Sequence, residues 1–171
     1  MKDVLIICYS RTGLTRQVAL DLRARLDADF EDIREGHRRR GPLAYLWGRW
    51  QASRGMACEI APPLRWASDY RALVLALPNW AGALCPAMRA WLLEQGRPLP
   101  PYATLITQSD SGADQVRTAV TQLIGAPDRA HLCLTDRQIA EQDFHAALTP
   151  FARGLPSALG LTQPAEGRKS A

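Results

Sequence analysis

The sequence predicts an α/β domain, a doubly wound three-layer sandwich in which a five-stranded parallel sheet is covered by helices on both faces. Three observations predict it. Apolar runs of strand length, such as "VLIIC" and "ALVLAL", carry no alternating polar residues, as befits strands buried on both faces. Between such runs stand segments whose apolar residues recur at helical spacing. The two kinds of segment alternate about five times along the chain, the signature of a parallel sheet fed by crossover helices.

Residues 3–9, "DVLIICY", form the first buried strand. The helix predicted over 14–26 places Leu14, Val18, Leu22 and Leu26 on one face, with Ala19 beside them, and turns Arg16, Asp21, Arg23 and Arg25 outward. "FEDIRE", 30–35, is a short strand candidate. The stretch 36–69 breaks the alternation and reads as a basic, aromatic insertion. Within it Leu43, Leu46, Trp47 and Trp50 fall at i, i+3, i+4 and i+7, which predicts an amphipathic helix over 43–50. That helix has two readings: a crossover helix packed on the sheet, or a lid or partner surface with aromatic anchors. "RALVLAL", 71–77, is the second fully apolar strand, and Pro86 opens the helix "PAMRAWLLEQ", since proline is tolerated at the first helical position. "YATLITQ", 102–108, is a long strand, "GADQVRTAVTQLIG" a helix, and "AHLCLT", 130–135, another strand. The last helix, "EQDFHAALTPFARGL", is expected to kink or break at Pro150. Residues 1–160 are expected to form one domain, and 161–171 a flexible tail, because "TQPAEGRKSA" is small and polar.

Composition narrows the function. The 171 residues are 47% hydrophobic and 22% charged, as in a soluble globular protein. No apolar run is long enough to cross a membrane, and the start "MKDVLIICYS" is too short in apolar residues for a signal peptide, so a cytoplasmic protein without membrane partners is expected. Cys8, Cys58, Cys85 and Cys133 form no C-x-x-C pair, and His37, His131 and His145 are scattered; no metal site is expected. The net charge of +4 is concentrated. Between 34 and 54 stand Arg34, Arg38, Arg39, Arg40, Arg49 and Arg54 against Glu35 alone, leaving the remaining chain slightly acidic. A nucleic-acid role for "HRRR" is the weaker reading beside a solvated basic loop.

The chemistry points to "SRTGLT", 10–15, between the first strand and the first helix. A helix N-terminus has unpaired N–H groups and partial positive charge, which favour a phosphate. Gly13 lets a ligand approach the backbone, and Ser10, Thr12 and Thr15 can donate hydroxyl hydrogen bonds. Simple helix capping needs one such residue; three around a glycine favour an anion. Neither a Gly-Lys pair nor G-x-G-x-x-G is present, so the loop is neither a nucleotide-hydrolysing P-loop nor a dinucleotide fingerprint. In doubly wound sheets ligands lie beyond the carboxyl ends of the strands at the switch in strand order. Loops 10–15, 78–85 and 109–112 should therefore converge.

Ser10-Arg11-Thr12-Gly13-Leu14-Thr15 resembles the flavodoxin family's phosphate loop, [ST]-x-T-G-x-T, with Leu14 where Asn is commonest. "LALPNWAGALCPAMRAWL" resembles the family's second loop, a strand ending in Pro, a Trp-containing turn and a helix starting near Pro, with Asn79 in place of a usually apolar residue. "TQSDSGADQ" matches the third loop in position and small residues but lacks the tyrosine that covers the outer flavin face in many flavodoxins. The resemblance spans roughly residues 3–155 and implies strand order 2-1-3-4-5 and FMN as cofactor. It implies that Ser10, Arg11, Thr12, Gly13, Leu14 and Thr15 hold the phosphate. Pro78, Asn79, Trp80, Ala81 and Gly82 would border the ring, with Trp80 as a stacking or edge contact and Pro78 and Gly82 shaping the turn. Ser109, Asp110 and Gly112 would complete the site. The net basic chain and the missing tyrosine favour two-electron reduction of a small acceptor such as a quinone, with NAD(P)H a candidate donor, over a one-electron shuttle to a redox partner protein. Family members acting on quinones are often homodimers. The alternative is a non-catalytic binding module that uses the 43–50 helix for a partner. No residue stands out as an acid–base catalyst. Cys85, at a helix start, is either a redox thiol with a lowered pKa or a small residue filling the loop, the favoured reading.

Overall fold

The computed structural model describes residues 2–36, 56–109 and 111–161. The 43–50 segment, the "HRRR" tract, Asp110 and the tail from 162 lie outside the described residues. Five strands run parallel: β1 (Val4–Cys8), β2 (Asp29–Asp32), β3 (Ala72–Trp80), β5 (Tyr102–Gln108) and β6 (His131–Thr135). Their spatial order is β2-β1-β3-β5-β6, the expected 2-1-3-4-5 arrangement. A sixth strand, β4 (Ala83–Leu84), was not expected; it folds back antiparallel on the end of β3.

The helices are α1 (Leu14–Leu26), α2 (Pro86–Gln95), α3 (Ala113–Ile124), α4 (Asp136–Ala140) and α5 (His145–Ala158). Strand periodicity distributes them. Leu5, Ile7, Leu73, Leu75, Leu77 and Ile106 point to one face, where they meet Met88 and Trp91 of α2 and Val116 and Val120 of α3. Ile6, Cys8, Val74 and Leu105 point to the other, against Val18 and Leu22 of α1 and Leu148 and Leu155 of α5. Strand β3 sends leucines to the first face and the small Ala72, Val74 and Ala76 to the second.

Several boundaries differ from expectation for identifiable reasons. Strand β3 continues past Leu77 to Trp80, because Pro78 is paired with Thr107 and because Asn79 and Trp80 find partners in β4. Proline is tolerated there because β1 ends opposite Ala76, so Pro78 lies beyond its reach. The strand expected in "FEDIRE" is Asp29–Asp32. Beyond it the chain pairs with residues 59–61: Glu35 bridges Ile60, Gly36 N donates to Glu59 O at 3.0 Å, and Ala61 N to Arg34 O at 2.8 Å. Pro150 does not end the last helix, which runs through both Pro150 and Pro156. Leu148, Ala152 and Leu155 anchor it in the core, and packing outweighs the lost backbone bond. The residues 141–144 expected at its start form a turn, while α4 begins earlier under a full capping box: Gln138 N donates to Thr135 Oγ1, and Thr135 N to Gln138 Oε1.

One buried ionic group ties a loop to this frame. Asp128, 4% exposed, accepts from Arg117 Nε and Nη2, both at 2.9 Å, and from Thr104 Oγ1 at 2.6 Å. Burial alone would raise its carboxyl pKa, but the Arg117 and Thr104 hydrogen bonds outweigh it and hold the group below its ordinary 3.8. A depressed pKa contributes stability above the unfolded value and loses it as pH falls through the folded value. Asp128→Asn should therefore destabilise by about 2–3 kcal/mol at neutral pH, the scale of hydrogen bonds lost to a charged group. In urea unfolding series the two proteins should converge as the pH drops below 3.8; a pH-independent gap would contradict the assignment.

Candidate functional site

The order of the strands reverses between β1 and β3, and the loops after β1, β3 and β5 meet beyond their carboxyl ends. Three contacts bring them together. Tyr9, just after β1, packs edge-to-face on Trp80, with ring centroids 5.9 Å apart at 69°. Thr15 Oγ1 and Thr107 Oγ1 are 2.7 Å apart. The Asn79 side-chain amide donates to Ser111 O at 2.7 Å.

The loop after β1 is open. Gly13 is the N-cap of α1 in the left-handed region, with φ 100°, and no side chain caps the helix. A Cβ on Gly13 would meet no protein atom within 4 Å. The position needs glycine for its backbone angle, while none of the described residues fills the space beside it. Ser10 Oγ accepts from Gly13 N at 3.1 Å and tightens the loop. Arg11, Thr12 and Gly13 are exposed, and Leu14 packs its half-buried side chain against the α1–α5 side of the core. An apolar residue at 14 therefore serves the core at a position where the resemblance places a polar one. Arg16 turns away from the loop to Asp32 of β2, at 3.1 Å.

Not every expected hydroxyl faces outward. Thr15 is 2% exposed, and its hydroxyl is engaged with Thr107. It locks α1 to β5 from behind the loop instead of lining the open side. Ser109 Oγ donates to Asp136 of α4 at 2.5 Å. The loop's open hydroxyl is Thr12, with Ser10 partly exposed.

The second loop is a two-residue hairpin between β3 and β4. Ala81 and Gly82 both have positive φ, 54° and 79°, as the primed hairpin turn requires. The left-handed alanine carries a strain of about 1 kcal/mol. Trp80, expected as a stacking or edge contact, is buried against Tyr9. Its side chain sits behind the turn because β3 extends through it and alternation directs it inward. The turn is made by residues 80–83, so Pro78 lies within the strand and not at the bend. Tyr9 in turn donates its hydroxyl to the Glu35 carboxylate. Burial, reinforced by that bond, pushes the phenol well above its ordinary pKa.

Cys85 is the N-cap of α2 and fully buried. Burial pushes its thiol up to about 12, although the Met88 backbone N–H acts in the opposite direction. The lowered pKa expected at a helix start is not realised, because desolvation outweighs the helix amides; the side chain fills the loop. In the third loop Gly112 is the N-cap of α3, with φ 112° and again no side-chain cap. Sequence reasoning missed Thr107 and Asn79 as the residues joining the loops. The available signal was a threonine near the end of an otherwise apolar strand and an amide where an apolar residue is usual. Among the described residues no cluster of three or more His, Cys, Asp or Glu could hold a metal ion, and no helix is long and apolar enough to cross a membrane.

The Thr15–Thr107 pair is testable. Removing one hydroxyl leaves the other buried and unpaired, so Thr15→Val or Thr107→Val alone should cost about 1–3 kcal/mol. Thr15→Val/Thr107→Val should recover most of that loss. Additive losses in denaturant unfolding would mean that the two hydroxyls do not bond to each other.

No protein-family model matches the sequence, and no curated protein matches it. Solved structures do. A flavoprotein in complex with FMN from Lactobacillus acidophilus superposes with a TM-score of 0.65 at 14% identity, covering 82% of this chain and 98% of that one. The Trp repressor binding protein from Bacillus subtilis gives a TM-score of 0.54 at 12% identity, covering 88% and 98%. An NAD(P)H:quinone oxidoreductase from Methanothermobacter marburgensis gives 0.51 at 15% identity, covering 98% and 100%. At these identities the likeness is one of architecture, and it agrees with the strand order and the two-sided helix cover: the chain has the flavodoxin-like fold.

Proposed function

We propose that the protein binds FMN at the carboxyl end of its sheet and works as a flavin-dependent redox protein, with two-electron reduction of a small acceptor such as a quinone by NAD(P)H as the favoured reaction. The observation that carries this reading is the start of α1. Its amides open without a side-chain cap from Gly13 at the reversal of strand order, and among the described residues no atom stands within 4 Å of where a Cβ on left-handed Gly13 would be. A phosphate fits such a terminus, because it accepts hydrogen bonds from the free amides and lies at the positive end of the helix dipole. The neighbour crystallised with FMN supports the choice of anion.

In this reading the first amides of α1, with the Ser10 and Thr12 hydroxyls, hold the phosphate, and Gly13 admits it to the backbone. Arg11 supplies long-range attraction. Thr15 and Leu14 act from behind, fixing α1 on β5 and on the core. The hairpin at Ala81 and Gly82 and the loop 109–112 border the ring. A bound flavin supplies reversible one- and two-electron transfer. In this reading the residues at the site position and shield the cofactor. Positive charge of the kind concentrated between residues 34 and 54 favours the cofactor form with more negative charge where it lies near the ring, and the third loop brings no tyrosine to cover the ring. The missing tyrosine suits a site that admits a substrate. The similarity to an NAD(P)H:quinone oxidoreductase is compatible with that choice.

Titration with FMN, followed by quenching of its fluorescence, tests the cofactor. Thr12→Val and Gly13→Val should each weaken binding at least tenfold, and Arg11→Ala by about threefold, as expected for lost hydrogen bonds and a partly screened charge. A protein that leaves FMN fluorescence unchanged would refute the reading. Equal affinity in all three variants would reduce the loop to a helix start. FMN-loaded protein should oxidise NAD(P)H faster when a quinone is added.

A further inference from the structure

Asn79 uses its amide to join two loops. Its Nδ2 donates to Ser111 O at 2.7 Å and to Gln108 Oε1 at 3.2 Å, and its Oδ1 accepts from Gly82 N at 2.7 Å. Both amide hydrogens are thereby engaged, and its oxygen has a backbone partner. The partners fix the orientation: a flipped amide would set its NH2 against the Gly82 N–H and its oxygen against the Ser111 carbonyl. The fit is also tight in space. A Cβ on Gly112 would lie 3.0 Å from Asn79 Nδ2 and 3.0 Å from Gly82 Cα. Only a residue without a side chain lets the third loop seat on the hairpin.

We propose that Asn79 is a positioning residue that clamps the β3–β4 hairpin onto the β5–α3 loop and so fixes the placement of one against the other. Its effect on the ligand rests on the FMN reading above, since these loops border the ring there. Two consequences follow from the geometry. The Gly82 amide is held by a protein acceptor and is not a donor to the ligand. The strained turn at Ala81 and Gly82 cannot rotate its central peptide without breaking the bond to Asn79 Oδ1. The clamp holds both loops in one arrangement before a ligand arrives, so their ordering is not charged against binding. An apolar side chain at this position would make none of the three bonds.

Amide hydrogen exchange on the FMN-free protein and FMN titration together test the clamp. Asn79→Ala and Asn79→Leu should each speed exchange of the Gly82 amide by at least tenfold, with β1 amides unchanged. Each should weaken FMN binding about tenfold, the size expected when one or two hydrogen bonds that order a site are lost. Asn79→Asp keeps an acceptor for Gly82 but places a carboxylate oxygen against the Ser111 carbonyl. It should retain Gly82 protection and still lose FMN affinity, which a purely local role in the turn would not produce. Unchanged Gly82 exchange in Asn79→Ala would overturn the clamp. Faster exchange with unaltered FMN affinity would overturn its role in positioning the ligand. A wild-type protein that binds no FMN, with Gly82 still deprotected by Asn79→Ala, would overturn the flavin reading and leave the clamp between the loops standing.

Discussion

Strand β3 is hydrogen-bonded along both edges and covered on both faces, and this double burial dictates most of the structure. A strand in that position must be apolar at nearly every residue, and Ala72–Leu77 is. Its neighbours β1 and β5 run parallel to it, and the chain passes from β3 to β5 through α2, as a parallel crossover requires. Because β2 lies outside β1 and β6 outside β5, the path departs from the centre in both directions. In sheets of this order the crevice that takes ligands lies where the directions part, here above the ends of β1 and β3. The position of the site follows from the burial of one strand, before any polar residue is considered.

The polar residues around that crevice divide into those that build it and those that face it. Thr15, Thr107, Asn79, Tyr9 and Glu35 have their hydrogen-bonding groups engaged with one another or with backbone. They hold three loops in register without offering those groups to a ligand. What faces outward instead is the exposed Thr12 and the start of α1, behind Gly13. Helix α4 shows the contrasting solution. Its Thr135 and Gln138 close the N-terminus reciprocally, and the helix start is thereby complete in itself. The same chain thus seals one helix start with side chains and leaves others without them, and two of the uncapped ones, α1 at Gly13 and α3 at Gly112, follow the loops that meet beyond β1 and β5.

Much of the architecture was legible in the sequence. The limits of α1, α2 and β5 follow from apolar spacing, from Pro86 and from the polar residues that end each run. The strand order came from motif resemblance, since hydropathy alone does not say which strand pairs with which. Elements set by tertiary pairing were not legible. Strand β4 exists because a hairpin folds back on β3, and two residues carry no periodicity of their own. Proline at 150 signals an interruption locally, yet core packing carries α5 through it. At the site, the sequence marks Ser10–Thr15 as a cluster of hydroxyls but does not say which of them turn inward. Trp80 and Thr15 are assigned by the side of the chain on which they emerge, which is a matter of register. Cys85 illustrates the same limit: its place at a helix start can be read from Pro86, whereas its burial, which governs its ionisation, depends on the packing of α2.

The antiparallel pairing of residues 34–36 with 59–61 has a consequence for how the chain tolerates change. Those stems are tied to each other by two backbone hydrogen bonds and the Glu35–Ile60 bridge, and the Tyr9 hydroxyl secures Glu35 to the end of β1. A length of chain entering and leaving through such a knot transmits little tension to the sheet. A load on either stem is met first by these bonds, and the end of β1 keeps its place through the contact of Tyr9 with Glu35.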